Sequence, residues 1–340
     1  MSAPAAAPLL EVRELSVSFG TGSRSLRAVR DVSFTLERAS SLALVGESGS
    51  GKTTLLRSVV GLVPRAAVAG RVAFKGRDLT AASERELERL RGGEIGLVFQ
   101  DPVSCFNPSL TVGYQLERVL RIHRPEARRP ARAERIAAVL ERVGIEHGRV
   151  LRRHPFELSQ GQLQRVMIAA ACLSGKTALL LADEPTTSLD VTTEAQIIEL
   201  LRDLRRDLDM ALVLVTHNLA VAAQLCDRVL VMYGGRLVED ASVEALFERP
   251  AHPYTRRLLE SLPVFPPSSR RVEPIRGEPA SALGVAAGCP FAPRCDVRIG
   301  PVCDEETPPL APTGTPGQLA ACHLVASGST VEPVAREARR

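Results

Sequence analysis

The sequence predicts an α/β fold in which a phosphate-binding loop sits between a strand and a helix. Three observations point there. The short apolar runs ALLLAD at 178–183 and ALVLVTH at 211–217 read as buried parallel strands, because a strand covered on both faces has no polar face to alternate with. Between them, TTEAQIIELLRDLRRDLDM carries helical spacing, giving the strand–helix–strand order of α/β architecture. Upstream, GESGSGKT at 46–53 follows the apolar LALV and precedes TLLRSVVGL, the context in which a glycine-rich loop cradles phosphate.

The elements before this core differ in kind. LLEVRELSVSF at 9–19, TLERASSLALVG at 35–46, AVAGRVAFKG at 67–76 and IGLVFQ at 95–100 are strand-like and imply an antiparallel β-subdomain beside the parallel strands. VGYQLERVLRIH and RAERIAAVLERVGI are helical and define a helical subdomain at about 104–165. After residue 250, Pro, Ser and Arg dominate 263–279, which reads as a linker. A region with Cys289, Cys295, Cys303 and Cys322 follows, and the tail at 326–340 reads as disordered. The expected organisation is therefore 9–250, 251–325 and 326–340.

The bulk properties exclude several classes. A chain of 340 residues with 45% hydrophobic content can bury one large core plus a smaller appendage. The net charge of +4 is carried by arginine, with Lys52, Lys75 and Lys176 the only lysines, and no block of five or six basic residues implies a nucleic-acid partner. The N-terminus lacks a signal-peptide pattern, and no run of 18 apolar residues predicts a membrane span. A reducing cytoplasm is expected, which disfavours a disulfide framework for the seven cysteines.

The motif chemistry is specific. Gly46, Gly49 and Gly51 let backbone N–H groups turn toward phosphate oxygens, with Ser48 and Thr54 inside and beside the same loop. Lys52 brings a charge to the β- and γ-phosphates, and Thr53 offers a hydroxyl to Mg²⁺. A second SGKT at 174–177 lacks the upstream glycines, has Ala170 at the first position and precedes a strand, so it reads as a plain loop. LLLADEPT ends a strand in two acids: Asp183 suits the Mg²⁺ shell, and Glu184 suits the polarisation of an attacking water. Without the phosphate loop, two acids at a strand end would mean little. His217 ends the next strand within reach of a γ-phosphate. Gln100, at the end of IGLVFQ, could reach Mg²⁺ or the water. Phe19 could stack on adenine, although a strand phenylalanine is commonly core.

GESGSGKT, VFQDP, LSQGQLQR, LLLADEP, TSLD and THN occur in the order found in ATP-binding subunits of ABC transporters, which this chain resembles over about 9–250. The resemblance implies a P-loop NTPase of the ABC type that hydrolyses ATP with Mg²⁺ and closes head to tail with a second ATPase subunit. Ser159, Gly161 and Gln162 then match the signature that completes the partner's ATP site. Asp190 matches the contact between sites, Glu184 the catalytic base, His217 the switch histidine and Gln100 the glutamine loop. Gln160 departs from the family's usual glycine, which suggests a heterodimer with one weakened site. DPVSCFNPSLTVGYQL, RPAHPYTRRLLESLP and the CPFAPRC…C…ACH tail resemble the ATPases of oligopeptide and dipeptide importers; nickel, glutathione and opine systems have similar subunits. The resemblance further implies two transmembrane permease subunits, an extracytoplasmic substrate-binding protein and a peripheral place on the cytoplasmic face of the membrane. An ABC ATPase acting on DNA or ribosomes is disfavoured by the single P-loop and the absence of a heptad run. A regulatory subunit with a dead site is disfavoured by Lys52, Asp183 and Glu184.

The cysteine spacings C-x5-C, C-x7-C and C-x18-C are wider than those of tight zinc knuckles. From spacing, a metal or cluster site stands ahead of free thiols, with Arg294 flanking Cys295 as a charge balance. The resemblance implies a [4Fe–4S] cluster on Cys289, Cys295, Cys303 and Cys322, with zinc as the alternative. Cys105, Cys172 and Cys226 read as packing residues.

Overall fold

The computed structural model describes residues 7–20, 26–261, 275–280 and 287–328. Most of the expected linker at 263–279 and nearly all of the 326–340 tail lie outside them. The chain divides into two compact units interleaved in sequence: 1–10, 35–41 and 73–215 form one, and 11–34, 42–72 and 216–340 form the other.

Strands in chain order are β1 (Leu10–Phe19), β2 (Leu26–Leu36), β3 (Ser41–Val45), β4 (Val68–Phe74), β5 (Arg77–Asp78), β6 (Ile95–Val98), β7 (Leu179–Asp183), β8 (Ala211–Thr216), β9 (Arg228–Tyr233), β10 (Arg236–Ser242), β11 (Ala311–Pro312) and β12 (Leu319–Ala320). The segment expected as one strand over 35–46 is the end of β2, a turn, and β3. Ala39 sits at φ 55 in that turn, a left-handed conformation outside the extended range of a regular strand.

In the first unit β6, β7 and β8 run parallel, with Leu181 opposite Leu97 on one side and Val213 on the other. Every residue of β7 is buried, which explains why its sequence is a continuous apolar run ending in an acid. The helix between β7 and β8 spans Val191–Leu208 and buries Ile197, Ile198, Leu201 and Leu204 along one face. The helical segment contains Val112–His123, Arg129–Arg142 and Gln160–Cys172, with the short helices His147–Val150 and Pro155–Glu157 between the last two. Residues 174–177 form the loop expected of the second SGKT. The Ser174 hydroxyl, fully buried, donates to the Gly93 carbonyl at 2.6 Å, and Thr177 donates to Ala171 O at 3.2 Å. That loop is a packing plug, with its hydroxyls turned inward.

In the second unit β2, β1 and β4 lie side by side in that order, and β3 pairs in parallel with β9, placing Val45 opposite Val231. β10 returns antiparallel along β9, and β12 adds to β10 with Ala320 opposite Glu239. β12, and β11 paired with it, thus extend the sheet that β9 and β10 form. Their anchor is Glu239, which is fully buried and accepts from Ala251 N at 2.9 Å, His252 N at 2.8 Å and Gln318 Nε2 at 2.8 Å. Tyr233, Tyr254 and Phe291 pack ring on ring alongside, with centroids 4.6 to 5.4 Å apart. No helix among the described residues is long and apolar enough to cross a membrane.

Candidate active site

The phosphate loop leaves β3 at Val45 and enters the helix Lys52–Val59. Two of its glycines are fixed by space as well as by dihedral angle. A side chain on Gly46, at φ 153, would lie 2.2 Å from the Met232 carbonyl oxygen, and one on Gly51, at φ 101, would lie 2.2 Å from that of Ala28. Gly49 differs: at φ 79, its missing side chain would meet nothing within 4 Å. The loop is therefore wedged against β9 and β2 on its inner side and open above Gly49. That open side, with exposed Ser48 and half-buried Thr53 and Thr54, fits a row of phosphate oxygens. Lys52 is 4% exposed, and its ammonium donates to Gly46 O and Glu47 O, both at 2.8 Å. Those carbonyls hold the charge beneath the loop. Phe19 is the last residue of β1 and is half-buried.

In the first unit, Asp183 is the last residue of β7 and is 1% exposed. Glu184 follows at φ 46, a left-handed conformation that costs about 1–2 kcal/mol in a residue with a side chain. Its N–H donates to Val215 O at 2.9 Å, so the strand pairing continues through it while the side chain is turned aside. The carboxylate then accepts from Thr187 Oγ1 at 2.8 Å and from Gln100 Nε2 at 3.4 Å. Gln100 lies two residues beyond the end of β6 rather than at its end, exposed, and thereby reaches across to the strand-end acid. Thr187 was not singled out from sequence, although it opens the quoted TSLD.

The signature residues and Asp190 meet through one threonine. Ser159 caps the helix Gln160–Cys172, forming a reciprocal capping box with Gln162. Gly161 lies so close to the next helix that a side chain would come 2.9 Å from Thr193 Cγ2. Thr193 in turn donates to Asp190, N to Oδ1 at 3.0 Å and Oγ1 to Oδ2 at 2.7 Å. The hydroxyl of Thr193, then its amide, hold the Asp190 carboxyl below the usual range. Gln160 is the first residue of its helix, exposed, and not among the residues with positive φ. The position does not demand glycine's conformations here. His217, in the second unit, is exposed directly after β8 and precedes Asn218, whose side chain caps the next helix through Ala220 N at 2.9 Å.

Residues 29–187 match the family model described as ABC transporter, and residues 238–303 match that described as the oligopeptide/dipeptide transporter C-terminal region. The dipeptide transport ATP-binding protein DppD of Bacillus subtilis is 42% identical over 304 residues, spanning 88% of this chain and 90% of that protein. The chain belongs to the ATP-binding subunits of the oligopeptide/dipeptide ABC importer family.

Another relative of this ABC ATPase is the oligopeptide transport ATP-binding protein OppD of Salmonella typhimurium, 41% identical over 316 residues, with 92% of this chain and 93% of that protein covered. Among solved structures, the dimeric post-hydrolysis state of the ATP-binding cassette MJ0796 bound to ADP and Pi superposes with a TM-score of 0.63 at 27% identity, over 69% of this chain and 98% of that one. The ABC ATPase hydrolyses ATP.

The four C-terminal cysteines were expected to hold a [4Fe–4S] cluster or zinc. Among the described residues, no group of three or more His, Cys, Asp or Glu is arranged to hold a metal ion. The four are free and half-buried. Burial, with the neighbouring thiols adding to it, pushes Cys289 up to about 12 and raises Cys295 and Cys322. Arg294, expected to balance a thiolate at Cys295, is committed to Glu47 instead. The wide spacing reflects a loop held by other contacts: Cys289 N donates to Cys303 O at 2.8 Å, closing the turn around buried Phe291.

Proposed function

We propose that this chain powers import of dipeptides or oligopeptides from the cytoplasmic face of the membrane. It would pair with a second ATPase subunit, most simply a different one, and dock on two permease subunits fed by an extracytoplasmic binding protein. The observation carrying this reading is the near-full-length similarity to both a dipeptide and an oligopeptide transport ATPase, which includes the C-terminal region as well as the ATP-binding core.

In this reading ATP lies between Gly46–Thr54 of one subunit and the Ser159–Gln162 signature of the other, with Phe19 against adenine. Thr53, Asp183 and Gln100 are the residues that would hold Mg²⁺, which when bound would supply positive charge to the phosphates. Glu184 takes a proton from the water that attacks the γ-phosphorus in line; the bond to the bridging oxygen breaks, leaving ADP and phosphate. Thr187 and Gln100 keep the carboxylate aimed by donating to its Oε2. His217 donates to the γ-phosphate, and Asp190 carries the state of one site to the other.

The test is uptake in proteoliposomes holding the whole transporter. Labelled di- and oligopeptides should accumulate only with ATP, and E184Q should stop both uptake and turnover. Accumulation of nickel or glutathione in place of peptide would overturn the substrate class, and undiminished turnover in E184Q would overturn the site.

A further inference from the structure

The phosphate loop is not held by its own neighbours alone. Glu47, its second residue, is gripped on its N–H and its carboxylate by residues more than two hundred positions away. Its N–H donates to Tyr254 Oη at 2.9 Å. Its carboxylate receives a two-pronged pair from Arg294, Nη1 to Oε2 at 2.7 Å and Nη2 to Oε1 at 3.1 Å. Its carbonyl accepts from Lys52 at 2.8 Å.

Arg294 has no slack. A guanidinium has five N–H donors. Here Nε donates to Arg276 O at 2.9 Å, Nη1 also to Tyr233 Oη at 3.0 Å, and Nη2 also to Ile275 O at 3.2 Å, so five acceptors surround the group. Its side chain is 5% exposed. Burial alone would lower its basicity, but the bonds to Glu47 and Tyr233 outweigh that and hold it above its ordinary value. The position is delivered by the turn Ala292–Arg294, between Cys289 and Cys295, and the guanidinium lies 5.8 Å from the Tyr233 ring centre.

We propose that Arg294 and Tyr254 are positioning residues of the ATP site: the C-terminal extension neutralises Glu47 and pins the phosphate loop in its binding shape. This rests on the reading of 46–53 as the phosphate cradle. Without Arg294, a bare carboxylate would stand in the loop that must accept a triphosphate, and repulsion between like charges would weaken binding. Without Tyr254 Oη, the Glu47 N–H would lose its acceptor and the loop one anchor. The cysteine-bearing turn thereby acquires a role unrelated to metal: it places Arg294.

The test is binding of a fluorescent ATP analogue with Mg²⁺ to the full chain. R294Q should raise Kd about tenfold, equivalent to removing one charge-assisted pair. R294Q/E47Q should return Kd to within about twofold of wild type, because the repelling charge is gone. A residue that merely stabilised the fold would show no such rescue. Y254F, which keeps the ring, should raise Kd about threefold. Should R294Q not fold, E47Q alone decides: it keeps an acceptor for Arg294 while leaving a net positive charge beside the phosphates, so Kd should fall about threefold. Unchanged affinity in folded R294Q, no rescue in the double variant, or unchanged or weaker binding in E47Q overturns the proposal. K52A separates the two levels: wild-type affinity there would sink the cradle reading itself, whereas loss in K52A with wild-type binding in R294Q sinks only the clamp.

Discussion

Gln100 and Glu184 stand 84 residues apart in sequence, yet the Gln100 side-chain amide donates to Glu184 Oε2 at 3.4 Å. One follows the end of β6 and the other the end of β7, so the parallel pairing of two neighbouring strands brings them together. A displacement of the loop after β6 would therefore bear directly on the Glu184 carboxylate.

From this contact we predict that E184Q lowers ATP turnover by at least about 100-fold while ATP binding persists, because general-base assistance is lost but the phosphate loop is untouched. Q100A should lower turnover about tenfold, since Thr187 still aims the carboxylate at 2.8 Å. Steady-state hydrolysis in the assembled complex measures both. Equal losses in the two variants would contradict the division of labour.

The phosphate loop allows a prediction that separates fold from binding. G51A adds a methyl group 2.2 Å from the Ala28 carbonyl oxygen at φ 101 and should destabilise by about 2–4 kcal/mol, or prevent folding. G49A meets nothing within 4 Å, so only the strain of φ 79 remains, about 1 kcal/mol. Its protein should fold yet bind ATP poorly, as the methyl projects into the open side of the cradle. Denaturant unfolding and nucleotide titration on each variant decide it.

For the signature, S159A should cost about 1 kcal/mol of stability, because the side-chain oxygen caps Gln162 N at 3.2 Å. Q160G should lose about 0.5–1 kcal/mol through backbone freedom at the first helical position. Chemical denaturation would show it. A gain in stability in Q160G would mean that glutamine is strained there.

A buried histidine sets an acid limit. His252 is fully buried, accepts from Tyr254 N at 3.0 Å through Nδ1, and burial pushes it down to about 3 from 6.5. A lowered folded-state value means that the neutral form is favoured by folding. This contribution is complete above about pH 6.5 and falls by about 1.4 kcal/mol per unit as pH drops from there toward 3. Glu239, raised by burial, works in the opposite sense and offsets part of the loss at the acid end. We predict that H252N, whose side-chain oxygen can still accept from Tyr254 N, flattens the fall in melting temperature between pH 7 and pH 5. An unchanged slope would remove His252 from the account.

Much of this molecule is legible in its sequence where the physics is local. LLLAD and ALVLVT announce buried strands because both faces are covered, and GESGSGKT announces its loop because only glycine tolerates those dihedrals beside β9 and β2. Capping residues such as Ser159 and Asp190 sit where their side chains close the next turn. What resists reading is pairing across distance. The left-handed turn at Glu184 leaves no trace in residue type, and nothing in CPFAPRC says that its arginine reaches Glu47. The cysteines mislead for the same reason: spacing measures separation along the chain, whereas ligation needs convergence and thiolates.

The grip of Arg294 on Glu47 spans 247 residues, and that of Tyr254 spans 207. During synthesis the phosphate loop leaves the ribosome long before either holder exists. Nascent and prematurely terminated chains thus carry an unneutralised, half-anchored cradle.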